Sequence, residues 1–429
     1  MFGGGRAPTV AGFLFTISPY HLNQYYNSFM WGEFASLSVL PFAFLFVLRV
    51  CTFGGLANLA GLTFSLAAII LSNIPQAVIS VPCLAIFALA CIERDGAARQ
   101  IASMLAAGIL AALITMFYWV RVIAEMEWIQ ISLPNTDPAY DYRNHFLFNS
   151  LEFDTQGAWF GSVILVLLLS AVGAALISSG RIRSLHCDRR VIGVIAVLTF
   201  SLAMMLPVSN IVWGNVELLQ RIQFPWRFLS PASLMVSLLV GFAAADPGKI
   251  PERATRSCAL VVAGILLIFA TFSAKQVVLG ADSIDPNSFN CAAVATGSAL
   301  GLPHWWPVWS SKDTFVTADP VSAEGRAVEI FTQTPTSLDF SVSSGSPTTI
   351  RISKLFYPHW KVSVNGRPDN ARSLDGALAL DVGPEASRVR VAFVEPWYTT
   401  PSRYVSVITA LGIFAMFVFC QIRRARSYE

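Results

Sequence analysis

Charge is missing from long stretches of this chain and then returns all at once. Residues 7–32, 34–48, 50–92, 100–120, 155–180, 191–216, 228–245, 257–274 and 404–422 contain no Asp, Glu, Lys or Arg. A helix crosses the hydrocarbon core of a bilayer in about 20 residues. The pattern therefore predicts membrane helices near 34–50, 55–72, 76–92, 101–119, 159–178, 191–207, 228–245, 257–274 and 404–422. Run 50–92 is long enough to cross twice. Ser72-Asn73-Ile74-Pro75 in its middle reads as the turn, because proline disfavours helix at the residue before it. The stretch 8–20, closed by Pro19, is a short tenth candidate.

Between about 275 and 402 the period changes from helical to two. Arg326 to Phe331, Ser337 to Val342, Thr349 to Ser353, Trp360 to Val364, Leu378 to Val382 and Val389 to Val394 alternate or read as short strands. Asn365-Gly366 is a strong short-range hairpin signal. Strands of this kind with one face buried predict a β-sandwich. The expected fold class is thus an α-helical polytopic membrane protein of nine or ten transmembrane helices, with an extracytoplasmic β-sandwich before the last helix. Its parts are a multi-helix domain at 1–274, a β domain at 275–402, and a final helix with a basic tail at 403–429.

Composition agrees with the pattern. Of 429 residues, 55% are apolar and only 13% charged, with a mean hydropathy of +0.59. A soluble domain carries about 25% charge, so a single water-soluble globule is excluded. The net charge of +3 is spread along the chain, which gives no nucleic-acid footprint. With both termini cytoplasmic, 14 Lys and Arg fall in the inner loops and ends, against Arg121, Arg143, Arg221 and Arg227 in the short outer ones. That asymmetry sets the expected orientation. No secretory signal is evident at the N-terminus.

Of the seven cysteines, Cys291 alone falls in the external segment, so no disulfide framework is expected there. The run His304-Trp305-Trp306-Pro307-Val308-Trp309 has three readings: packing of the β domain, an interfacial aromatic belt, or a sugar-stacking platform.

The outer-surface charges carry the candidate chemistry. Glu33 stands at a helix end between two uncharged runs, beside Tyr25, Tyr26, Phe29 and Trp31. A carboxylate at the hydrocarbon boundary is costly unless paired or functional, although it also complements a helix N-terminus. Arg227, following Phe224-Pro225-Trp226, suits bidentate phosphate binding or headgroup snorkelling. Arg221 lies six residues earlier. The loop 121–158 holds the densest polar set outside the β domain: Arg121, Glu125, Glu127, Asp137, Asp141, Arg143, His145, Glu152 and Asp154. Pro138 between Asp137 and Asp141 argues against reading them as a metal pair.

Five stretches together resemble one family. They are Ile17-Ser18-Pro19-Tyr20 through Tyr25-Tyr26-Asn27 and Trp31-Gly32-Glu33-Phe34-Ala35 to Pro41; Leu71-Ser72-Asn73-Ile74-Pro75; Glu125 through Tyr142 to His145-Phe146; Gln223-Phe224-Pro225-Trp226-Arg227-Phe228; and the hairpin Tyr357-Pro358-His359-Trp360 to Asn365-Gly366. In order and topological position they resemble the YfhO-like, pyruvoyl-tetrahydropterin-synthase-related integral membrane proteins. Those proteins are similar in architecture to GT-C glycosyltransferases, which move a sugar from a polyprenyl-phosphate donor at the outer face of a membrane.

The resemblance implies a sugar transferase serving cell-envelope glycosylation in a bacterial inner or plasma membrane. Its partners would be membrane lipid and a polyprenyl-phosphate-linked sugar. It implies Glu33, Glu125 and His145 as catalytic groups, and Arg227, Arg221, Tyr20 and Asn27 as donor-binding groups. No cofactor is assigned, and a divalent metal is one means of offsetting the leaving phosphate. The family usually carries helices, and an acidic first external loop, ahead of the stretch that begins this sequence. The chain is therefore expected to be the C-terminal part of a longer design, acting with an N-terminal partner subunit if that design is split. The competing readings are a non-catalytic scaffold or glycan-binding partner, and a transporter.

Overall fold

The computed structural model describes residues 6–26, 28, 30–130, 141–148, 188–243, 306–311 and 319–426, with a few isolated positions besides. The helices expected at 159–178 and 257–274 fall almost wholly outside the described residues, as do Asn27, Asp137, Glu152, Asp154, His304 and Trp305.

In chain order the main helices are α1 (Arg6–Thr16), α2 (Pro19–Tyr26), α3 (Trp31–Thr52), α4 (Leu56–Ser72), α5 (Ile74–Cys91), α6 (Ala97–Ile114), α7 (Met116–Glu125), α8 (Arg189–Met205), α9 (Asn210–Asn215), α10 (Glu217–Gln220), α11 (Leu229–Ala243) and α12 (Thr399–Arg426). Among the described residues, five helical stretches are long and apolar enough to cross a membrane. They are Trp31–Thr52, Ile74–Cys91, Ala97–Ile114, Pro225–Ala243 and Thr399–Phe419. A sixth is counted if Arg189–Met205 and Pro207–Asn215, bent by 83°, form one span. The 17-residue α4 is apolar but shorter. Two expectations are corrected. The 8–20 stretch is two short helices, with Ser18 capping α2 through its hydroxyl (His21 N, 3.3 Å). The 101–119 helix breaks at Thr115, whose hydroxyl donates to the Ala111 carbonyl at 2.8 Å, a back-bond that competes with the helix ladder.

The turn read at Ser72–Pro75 is present. Asn73 leaves the helical region, its side chain accepts from Gln76 N at 2.9 Å, and Pro75 occupies the first turn of α5. Proline is tolerated there because that backbone N–H has no intrahelical acceptor.

The chain forms two compact units. The helical unit comprises Met1–Thr115, Asp137–Asp282 and Ser406–Glu429. Its core gathers Leu37, Leu40, Phe44, Ile69, Ile79, Phe87, Val194, Trp213, Phe228 and Met235, among others. Many large apolar side chains face outward instead, including Phe42, Val81, Leu89, Leu105, Ile109, Ile408, Leu411 and Phe414. An apolar exterior on this scale suits lipid rather than water as solvent.

The second unit comprises Met116–Thr136 and Ser283–Val405. Its strands are β1 (Val321–Ala323), β2 (Val328–Gln333), β3 (Ser337–Val342), β4 (Thr348–Leu355), β5 (Trp360–Val364), β6 (Arg367–Asp369), β7 (Arg372–Leu374), β8 (Ala377–Val382) and β9 (Ser387–Phe393). They form two antiparallel sheets, β1-β4-β8-β7 and β2-β3-β9-β5-β6. Leu338, Phe340, Val389 and Val391 from one sheet and Ile350, Ile352, Leu378 and Leu380 from the other share one buried core. Alternation drives this: β3 buries Leu338, Phe340 and Val342 and turns Ser337, Asp339 and Ser341 outward.

Asn365 and Gly366 make the expected hairpin, with φ of 51° and 81°. Asp375-Gly376 repeats it between β7 and β8 (φ 49° and 81°), a turn overlooked in the sequence. Positive φ at both central residues matches the right-handed twist of the flanking strands. Strand β2 alternates in sequence yet is almost wholly exposed. It is an edge strand with a bulge between Ile330 and Thr332, and of its residues only Val328 packs against the core.

The segment after α7 joins this second unit by backbone pairing. Gln130 N donates to Trp306 O and Val308 N to Trp128 O, both at 2.9 Å, flanking an Ile129–Pro307 bridge. Residues 116–136 therefore belong with the sheets, whereas a division of the sequence at 275 alone separates them. Trp309 packs edge-on to Phe356 at 5.1 Å, so it is part of this unit's own packing.

Candidate functional site

Two buried carboxylates organise the chemistry, one in each unit. Glu33 lies in the first turn of α3 and is 1% exposed. Gly32 makes this position reachable. A Cβ there would stand 2.5 Å from the Ser72 carbonyl oxygen, so only glycine lets the start of α3 press against the end of α4. The Tyr20 hydroxyl donates to Glu33 Oε1. Arg227 Nε lies 3.2 Å from Glu33 Oε2, an ion pair without the alignment of a hydrogen bond.

Arg227 is itself buried. Its Nη1 donates to Ile222 O at 2.6 Å, and its guanidinium lies over the Phe224 ring at 4.9 Å. Phe224 stacks on Trp226, and Trp226 meets Tyr20 edge-on. One turn after Arg227, Ser230 accepts a hydrogen bond from Gln76 Nε2 at 2.5 Å. Three of the family-like stretches, those around Tyr20–Glu33, Asn73–Pro75 and Phe224–Arg227, thus meet in one place.

This cluster is incompletely satisfied. Gln24 is buried, and its side chain interacts with the Tyr20 hydroxyl short of aligned hydrogen-bond geometry. Trp226 Nε1 is buried and unpaired. Each such atom costs about 1–3 kcal/mol relative to a paired one.

Glu125, at the end of α7, is the opposite case. Tyr357 donates to Oε2 and Tyr398 to Oε1, both at 2.7 Å, and His359 Nε2 lies 3.1 Å from Oε1. Arg121, one turn earlier, places Nε 3.2 Å from Oε1. The Trp128 ring abuts Tyr357 and His359 edge-on. Burial by itself raises the Glu125 pKa, but the Tyr357 and Tyr398 hydrogen bonds, the Arg121 charge and the His359 contact outweigh it and hold the carboxyl below its ordinary value. The same geometry, led by burial, pushes the Tyr398 hydroxyl up to about 12 and raises Tyr357 as well. A general base works best with a pKa near the operating pH. The Glu125 carboxylate joins α7, the β4–β5 turn and the lead into α12 through these contacts.

The remaining sequence candidates separate. His145, on a short 3-10 turn at Tyr142–His145, is buried and stands edge-on to Phe224 at 4.7 Å. It belongs to the helical unit, whereas Glu125, read from the same loop, belongs to the other. Arg221 pairs with Glu217 at 2.6 Å on the exposed side of its turn. Asn27 lies outside the described residues. Sequence reasoning missed Gln24 and Tyr398 altogether, and it quoted Tyr357 and His359 without a role. The one available signal was the polar and aromatic Glu395-Pro396-Trp397-Tyr398 immediately before an apolar helix.

No group of three or more His, Cys, Asp or Glu able to hold a metal ion occurs among the described residues. Glu33 and Glu125 each already face an arginine at 3.2 Å. A second cation at either carboxylate is disfavoured, so these residues do not fit a divalent metal. Compared with known proteins, the chain matches no family model, no curated sequence and no solved structure.

Proposed function

We propose that the chain is a GT-C-like membrane glycosyltransferase, or the C-terminal portion of one, moving a sugar from a polyprenyl-phosphate donor for cell-envelope glycosylation. In this reading it lies in a bacterial inner or plasma membrane, with both termini cytoplasmic and the β unit extracytoplasmic. The sugar C1–O bond to phosphate breaks, a bond to the acceptor oxygen forms, and the acceptor proton passes to a base. Glu33 is the candidate base, within the Tyr20–Glu33–Arg227 cluster.

The observation that carries this reading is the burial of that cluster at one end of an apolar helix, beside the exposed aromatics Tyr25, Tyr26 and Trp31. Exposed Trp and Tyr mark membrane–water boundaries. Arg49 lies 18 residues beyond Trp31 along α3, about 27 Å at the helical rise, which is close to the thickness of a hydrocarbon core. Chemistry at Glu33 would therefore take place at a membrane surface, where a lipid-linked headgroup lies.

The test is sugar transfer from a polyprenyl-phosphate-linked donor in membranes containing the full chain. Glu33→Gln is expected to lower the rate by about 10²–10⁴. Full activity in both Glu33→Gln and Arg227→Lys would refute the assignment.

A second reading, a non-catalytic scaffold or glycan-binding partner, is favoured by one observation: Glu125 is completely engaged by its own neighbours. It requires transfer to appear only when an N-terminal partner subunit is co-expressed, with Glu33→Gln leaving that activity intact.

A further inference from the structure

Two segments of the β unit turn apolar side chains outward where they adjoin candidate membrane spans. The first is α7. At 3.6 residues per turn, Met116, Trp119, Val120 and Ile123 form an i, i+3, i+4, i+7 stripe, and Arg121 and Glu125 fall on the other side. The polar side faces the rest of the unit. Glu125 receives Tyr357 and Tyr398, and the Arg121 guanidinium lies over the Phe393 ring at 5.8 Å. The stripe is left outward, with Ile123 62% exposed and Met116, Trp119 and Val120 partly exposed. The second segment is the lead into α12. Trp397 there is 83% exposed, the highest value for a large apolar side chain among the described residues, and Val394 and Tyr404 are exposed near it in the chain.

The two segments are joined to each other. Tyr398 donates to Glu125 at 2.7 Å, and Arg121 faces Glu395 at 3.5 Å. Each also continues directly into a candidate span. Ala97–Ile114 ends two residues before Met116, and Thr399–Phe419 begins two residues after Trp397. The Ser406 hydroxyl donates to the Leu113 carbonyl at 3.1 Å, so one membrane surface meets the end of the first span and the start of the second.

That continuity decides what covers the apolar face. Trp and Tyr concentrate at the headgroup level, where a ring has apolar surroundings on one side and water on the other. An amphipathic helix seats its apolar face at the same level. The neighbouring cations do not call for an anionic partner, because Arg121 faces Glu125 and Glu395, and Arg403 faces Glu395 at 3.6 Å.

We infer that α7 and residues 394–398 are a lipid-contacting foot of the β unit, seating the Met116–Trp119–Val120–Ile123 stripe and Trp397 in the headgroup boundary of the bilayer. The foot fastens this unit to the membrane surface through its own side chains, whether or not the chain is a transferase.

The experiment places the full chain in phosphatidylcholine nanodiscs, with and without bromine on the upper acyl carbons, and reads tryptophan fluorescence. The chain has 11 Trp, so each position is read as a difference between the unaltered chain and a variant at an exposed site. Trp397→Phe is expected to remove a component that brominated lipid quenches and aqueous iodide does not. Ile123→Trp is expected to add such a component. Neither difference should change when part of the lipid is replaced by phosphatidylglycerol.

Quenching by iodide and not by lipid would mean that the face meets water, and would overturn the inference. Protection from both quenchers would mean that protein covers it, and would overturn it as well. Lipid quenching confined to Trp397 would overturn the assignment of α7. None of these readouts involves sugar transfer, so failure of the transferase reading leaves them untouched.

Discussion

Glu33 and Glu125 are both glutamates, both buried at helix ends and both facing an arginine, yet they are in opposite physical states. Glu125 receives two tyrosyl hydroxyls, a histidine and an arginine, so its negative charge is answered from several sides. Glu33 has one aligned donor, Tyr20, and a misaligned cation, beside Gln24, whose side chain interacts with the same tyrosine. Burial by itself therefore does not mark a reactive carboxylate. A saturated one resists change of protonation and fastens segments together. An unsaturated one keeps capacity for something else.

The largest expected effect tests the saturated side. Glu125→Ala leaves the Tyr357 and Tyr398 hydroxyls without their acceptor and Arg121 with only Glu395, and should destabilise the β-containing unit by about 3–5 kcal/mol. Chemical denaturation followed by β-sheet circular dichroism checks this. A loss within about 0.5 kcal/mol, the scale of an ordinary surface substitution, would erase the distinction.

Next comes the ion pair. Arg227→Met alone should cost about 2–4 kcal/mol, because it strands Glu33. The double variant Glu33→Met/Arg227→Met should recover most of that, since apolar replacement of a buried pair is often neutral. Additive losses in a double-mutant cycle would show that the two residues do not act as a pair.

Acid then separates the units. The Glu125 carboxyl is held below its ordinary value of 4.5. Its stabilising contribution is therefore complete above about pH 4.5 and is lost as the pH falls below that toward the depressed folded value. Stability of the β-containing unit should decline in that acid window, and the decline should shrink in Glu125→Gln. An unchanged acid profile in that variant would place the titrating group elsewhere.

The smallest effect is Tyr398→Phe. It should cost about 1–2 kcal/mol and abolish the tyrosinate absorbance step near the raised value of about 12. Persistence of that step would mean another phenol carries it.

Much of the scaffold was legible in the sequence. The charge-free runs placed α3, α4, α5, α8 and α11 within a few residues, because a helix in an apolar medium announces itself by composition over its whole length. Period-two alternation with Asn365-Gly366 placed β3, β5 and β9. Edge strand β2 alternates but buries little, and Thr115 interrupts an otherwise continuous apolar run, because both outcomes depend on what lies alongside.

For the candidate site, Glu33 and Arg227 were readable as isolated charges next to apolar runs. That they face each other was not, since 194 positions separate them in the chain. Gln24 was invisible: it carries no charge and belongs to no motif.

The sequence by itself determined the solvent regime and the kinds of element, because hydrophobic burial and backbone hydrogen bonding act over whole segments and leave periodic traces. Only the tertiary structure decided which polar groups are answered. Hydrogen-bond satisfaction is set at the scale of a few ångströms, by side chains that come together from distant segments. That pairing surrounded Glu125 with donors and set Glu33 against Tyr20 and Arg227.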